Sequence, residues 1–124
     1  MDARLRQGIE LFNQGRFFES HEILEQFYHQ TEAAHKPFIE GLIQLAAAFR
    51  LYTDFGEVRG PVRMIHQALI RFENYQPSYL EIHVRDLSES MEAWAEKAAD
   101  AVGGSPLSIP KIRHDGLSFF HERS

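Results

Sequence analysis

Apolar residues recur along most of this chain at intervals of three and four, the spacing of a helix that buries one side. Leu5, Ile9, Leu11 and Phe12 predict a first helix over about Asp2 to Gln14. Gly15 is placed to take the left-handed position that closes it. Phe17, Leu24, Phe27 and Tyr28 share one face of a second helix, about Phe17 to Thr31. Pro37 suits the first turn of a third helix running to about Thr53, with Phe38, Leu42, Leu45, Ala46 and Phe49 as its core stripe. After Asp54-Phe55-Gly56 a fourth helix is expected from about Glu57 to Tyr75. Pro61 moves its start toward Gly60, and Val62, Ile65, Leu69 and Phe72 point inward. Gln76-Pro77-Ser78 breaks the chain. A fifth helix follows over about Val84 to Val102, burying Leu87, Met91, Trp94 and Ala98.

Gly103-Gly104-Ser105-Pro106 stops that helix, and the tail beyond it holds Ile109, Ile112, Leu117, Phe119 and Phe120. A tail this apolar is expected to lie extended along the bundle or against a partner chain. Residues 1–33 and 37–75 each read as helix, glycine-containing turn, helix. The expected architecture is therefore all-α: about five helices built from two helical hairpins, forming one domain over residues 1–103, with residues 104–124 as the extended C-terminal tail.

Composition narrows the function classes more than it selects one. The 124 residues carry 44% hydrophobic and 25% charged side chains, ordinary globular usage for one domain. Cysteine is absent, which removes disulfides, thiolate metal sites and cysteine nucleophiles. A net charge of −5 with scattered arginines argues against nucleic acid. The amphipathic start MDARLRQGIELF lacks a signal-peptide apolar region, and the longest apolar stretch, Leu45 to Phe49, is far short of a membrane span. A cytoplasmic location and no membrane partner are the expectation.

One constellation could carry chemistry. On the second helix, His21, Glu22, Glu25 and His29 fall within an arc of roughly 100°, with Glu19 close by. Imidazole and carboxylate together suit a divalent ion such as Zn, Fe or Mn, so His21, Glu22 and Glu25 form a candidate metal set. Their H-E-x-x-E spacing departs from the H-E-x-x-H zinc helix at Glu25. The plainer reading is a structural hydrogen-bond network, since His and Glu four residues apart often bond to each other. A recognition surface is the third reading. Gln44 stands among apolar neighbours, and a buried amide needs partners. It either joins the helix-two cluster or lies on an outward stripe with Glu40 and Ala47. Asn13 reads most simply as a helix C-terminal residue, and His66 as a satisfied histidine on the inner side of helix four. Trp94 and Met91 read as packing. No glycine-rich phosphate loop or serine nucleophile elbow is present.

The stretch LFNQGRFFESHEILEQFY, then FIEGLIQLAAAF, then ALIRFENYQPSYLEI resembles the family known as domain of unknown function 309, over about residues 5–85. The motif positions here are Asn13, Gly15, Glu19, His21, Glu22, Glu25, Gly41 and Gln44. Phe27-Tyr28 depart from the family, which often has tryptophan there. The resemblance implies an all-helical bundle with no established activity. Two functions therefore stand side by side. One is a non-catalytic scaffold or interaction module, as a homodimer or with a protein partner, holding a buried His/Glu/Gln polar cluster. The other is a metal- or small-ligand-binding protein, extending to a metal-assisted hydrolase in which the ion activates water and an unbound carboxylate acts as base.

Overall fold

The computed structural model describes residues 1–101 and 106–116. Five α-helices dominate it: α1 (Ala3–Asn13), α2 (Phe17–Gln30), α3 (Lys36–Phe55), α4 (Arg59–Phe72) and α5 (Val84–Asp100). Single 3-10 turns lead into α3 (Ala33–His35) and out of α4 (Glu73–Tyr75). The all-α architecture read from the apolar spacing is the one observed.

Local chemistry explains where the helices begin and end. The Asp2 carboxylate accepts from the Arg4 amide at 2.8 Å and caps the start of α1. At its other end the Gly15 amide bonds Phe12 O and the Arg16 amide bonds Leu11 O, both at 2.9 Å. That pairing needs a left-handed residue, and Gly15 supplies it at φ +80°. Gly56, at φ +67°, makes the equivalent turn between α3 and α4. The two hairpins inferred from sequence thus share one closing device.

Successive helices pack on one another in chain order, and α3 carries the core. Phe38, Ile39, Leu42, Leu45, Ala46, Ala48 and Phe49 are all fully buried in it. Gly41 lets α4 approach: a Cβ there would stand 2.6 Å from the Phe72 ring, far inside contact distance. Trp94 of α5 meets Phe49 and Tyr52 edge-on at 4.9 and 4.8 Å.

Three features depart from the sequence expectations. A two-residue hairpin, β1 (Ser78–Tyr79) with β2 (Ile82–His83), stands between α4 and α5. Leu80 and Glu81 form its turn at φ 48° and 65°. His66 is exposed rather than on the inner side of α4, because Ile65, Ala68 and Phe72 define the buried stripe and turn position 66 outward. The fourth helix, whose start at Arg59 falls between Glu57 and the Gly60 that Pro61 favours, ends at Phe72, three residues before the expected Tyr75, which closes the 3-10 turn instead.

Residues 106–116 run extended across the bundle. The Leu107 amide donates to the Tyr52 hydroxyl, His83 N–H to Arg113 O, and Asp115 N–H to Glu81 O. His114 bridges to Ile82, so the segment lies along β2. Ile112 is buried. The stop expected at Gly103 and the apolar residues Leu117, Phe119 and Phe120 lie outside the described residues.

Candidate functional site

The six polar residues singled out from sequence fall in three separate places. On α2, His21 Nε2 stands 3.2 Å from Glu25 Oε2, with the two side chains 33% and 57% exposed. This is the i, i+4 pair that helix geometry favours. Glu22 is exposed on the same helix. Glu19 turns back one turn to Arg16, 2.8 Å away. The hydrogen bond from that guanidinium, aided by a backbone hydrogen bond, holds the Glu19 carboxyl below its ordinary range. Ser20, between them, is fully buried and donates to Gly8 O at 2.7 Å, tying α2 to α1.

Gln44 faces α4 instead of α2. Its Oε1 accepts from Arg71 Nε at 3.1 Å, and its Nε2 donates to Gln67 Oε1 at 3.3 Å. Arg71 also donates to Glu40 Oε1 at 3.1 Å. The amide thus sits on the stripe it shares with Glu40, bridged to the next helix by one arginine. Arg71 was not a sequence candidate, and nothing in the chain marks it as a partner for a residue 27 positions earlier.

Asn13 holds the C-terminal segment. Its Nδ2 donates to Ile112 O at 3.0 Å, and its Oδ1 accepts from the Ile112 amide at 2.8 Å. One side-chain amide therefore pairs with both backbone groups of one residue, as a neighbouring strand would. His21, Glu22 and Glu25 remain on one helix face, Gln44 lies on the α3–α4 seam, and Asn13 lies at the tail. Among the described residues no three His, Asp or Glu side chains come together so that they could hold a metal ion. None of the described helices is long and apolar enough to cross a membrane.

Two further groupings escaped the sequence reading. At the start of α3, His35 Nδ1 is hydrogen-bonded to the Tyr79 hydroxyl, and its Nε2 stands 3.7 Å from Glu32. Tyr75 packs on Tyr79 and donates to Ala34 O at 3.2 Å. An open cleft of about 300 Å³, floored by Leu5 and Phe27, runs beside His35. Desolvation, with Tyr75 and Glu32 nearby, pushes the Tyr79 phenol above its ordinary 10.0. The folded state therefore favours the protonated phenol. Its contribution is complete below pH 10.0 and drains as pH rises through the higher folded value. Thermal melts across the alkaline range are expected to show a shallower loss of stability in Tyr79→Phe than in the parent chain. Parallel alkaline limbs would refute that linkage.

The second grouping is on the outside of α4. From Arg59 to Phe72 this helix has three arginines, one histidine and no acid, in a chain whose net charge is −5. The absence of any acidic residue from this stretch is the sequence signal that marks the helix. Val58 and Ile70, two of the four exposed large hydrophobics among the described residues, stand at or on α4. Val62, His66, Ile70 and Ala99 are among the residues lining an open groove of about 520 Å³ there.

Compared with known proteins, residues 5–64 match the family model described as Domain of unknown function (DUF309). The match includes every motif position named above and ends within α4, short of the stretch to residue 85 that carries the resemblance. No curated protein matches the chain.

Proposed function

The chain belongs, over residues 5–64, to the family described as a domain of unknown function, and from that premise we propose that it is a non-catalytic interaction module, a helical scaffold acting in the cytoplasm. The observation that supports this is the dispersal of the polar candidates. Asn13 is engaged with Ile112, Gln44 with Arg71 and Gln67, and His21 with Glu25. A metal-assisted hydrolase needs ligands and a base converging on one point, within hydrogen-bond reach of a substrate. The outward side of α4 instead sets Arg59, Arg63 and His66 beside the apolar Val58 and Ile70 around an open groove. A surface of that kind suits a protein partner better than nucleic acid, given the net charge of −5.

The test is a thermal-shift series with Mn, Fe, Zn and Mg on the full chain and on His21→Ala. An ion bound by the folded state raises the melting temperature by mass action. No shift is expected with either protein. A rise with one ion that disappears in His21→Ala would overturn the proposal in favour of a metal site.

A further inference from the structure

We infer that the outer groove of α4 is a docking site for an acidic amphipathic helix of a partner protein. This partner class rests on the interaction-module reading and narrows it. Two features of the groove point to it: a long strip with exposed apolar residues, and charge of a single sign along that strip.

The strip follows from helical periodicity. At about 100° per residue, Arg59, Arg63, His66 and Ile70 fall within about 60° of one another on α4. Pro61, Ile65, Ala68 and Phe72 occupy the opposite, buried side. Gln67 and Arg71 turn toward α3, where both meet Gln44. Val62 and, from α5, Ala99 also line the groove. From Arg59 to Ile70 its lining runs for about three helical turns, roughly 16 Å. Val58 at its head is exposed, and Ile70 at its foot is 65% exposed. An isoleucine with so much surface in water offers an anchor point to an apolar side chain of a partner. Apolar points at the head, middle and foot of three turns suit a helix laid in a groove, whose own anchors recur every three or four residues.

Charge decides the class of helix. Arg59, Arg63 and His66 stand on the strip, and no carboxylate lines the groove. Arg71 of the same helix is paired with Glu40, whereas Arg59 and Arg63 form no ion pair with another described residue. A partner that reaches the apolar residues brings its flanks against guanidinium groups, which favour glutamate and aspartate and repel lysine. In a chain of net charge −5 this basic strip is a local exception, and it orients an acidic segment onto this face. The same net charge opposes an anionic membrane surface, and nucleic acid has no apolar stripe to cover Val58 and Ile70.

Two designed helical peptides test the groove. Both carry leucine at i, i+4, i+7 and i+11; one has glutamate on the flanks of that strip and the other lysine. Fluorescence anisotropy with the full chain is expected to show saturable micromolar binding of the glutamate peptide and none of the lysine peptide. In the double variant Arg59→Glu, Arg63→Glu the preference should invert, with the glutamate peptide weakened on the order of a hundredfold. Ile70→Ser removes an exposed anchor and should weaken that peptide about tenfold. Circular dichroism melts of both variants are expected to match the parent chain, since all three positions are exposed. No binding of the glutamate peptide up to millimolar concentration overturns the inference, as does binding that the charge reversal leaves unchanged. Cosedimentation of the chain with phosphatidylserine vesicles, lost in the double variant, would overturn it in favour of a membrane surface. A parent dimer that Ile70→Ser dissociates would overturn it in favour of a second copy. Failure of peptide binding leaves the interaction-module reading intact, because that reading fails on a metal-dependent shift.

Discussion

Replacing Phe49 with alanine is expected to cost about 3–5 kcal/mol, the range for truncating a large aromatic in a core. Phe49 is fully buried on α3 and is the point where four helices meet. Its ring centroid lies 5.8 Å from Phe12 of α1, 5.7 Å from Phe17 of α2 and 4.9 Å from Trp94 of α5. Two of these contacts are edge-on, at 80° and 79°, the geometry that aligns the positive ring edge with a negative ring face. Removing the ring opens a void bounded by three aromatics that are each held by their own helices, so collapse around it is restricted. A domain of this size has a total stability of about 5–15 kcal/mol, so the change consumes a large share of it. The melting temperature should fall on the order of 10–20 °C. Phe55, six residues on in the same helix and 64% exposed, is the internal control. Phe55→Ala should change stability by no more than about 0.5 kcal/mol. Urea unfolding of both variants checks this, and similar losses in the two would contradict the core assignment.

The same helix shows what was legible in the sequence and why. A side chain's face is set by its position in a 3.6-residue period, so Phe38, Leu42, Leu45 and Phe49 could be assigned to the core from spacing alone. The partner of a polar side chain has no such rule. Spacing leaves Gln44 either in the helix-two cluster or on the outward stripe with Glu40 and Ala47; its partner Arg71 depends on how α4 lies across α3, and that follows from the Phe72 ring seating over Gly41. The hairpin at residues 78–83 was invisible because two-residue strands are too short to show alternation. Its turn uses Leu80 and Glu81 where the usual signal is Asn-Gly. His66 was misplaced by a single helical step: beside Ile65 it lies about 100° round the helix, enough to move it from the core to solvent.

The tail shows the same limit at longer range, and it yields the second large effect. Asn13→Ala is expected to cost about 1–3 kcal/mol, because it leaves the N–H and C=O of Ile112 without partners in a partly buried position. No periodicity links an asparagine at a helix end to a backbone 99 residues away, so the sequence offered only its local role. The physical consequence should also be local. The extended segment has other attachments: Leu107 to Tyr52 at 2.9 Å, His83 to Asp115 at 2.8 Å, and Arg113 to Asp86 at 3.3 Å. The last two are an exposed hydrogen bond and an exposed ion pair, which contribute little individually, and the backbone hydrogen bonds of the segment to His83 and Glu81 remain. With the Asn13 clasp removed, residues 106–116 should open without the bundle unfolding, since local opening draws on the least stabilised contacts. Hydrogen exchange should then show faster exchange at the Ile112 and Asp115 amides while the amides of α3 keep their protection. Asn13→Asp sharpens the test. It retains the acceptor for the Ile112 amide but replaces the donor with an oxygen facing the Ile112 carbonyl, and a carboxylate there repels. It should therefore weaken the tail at least as much as alanine does. A uniform loss of protection across the helices, or an aspartate variant as stable as the parent chain, would show that Asn13 acts as a helix-end residue and not as the clasp of the tail.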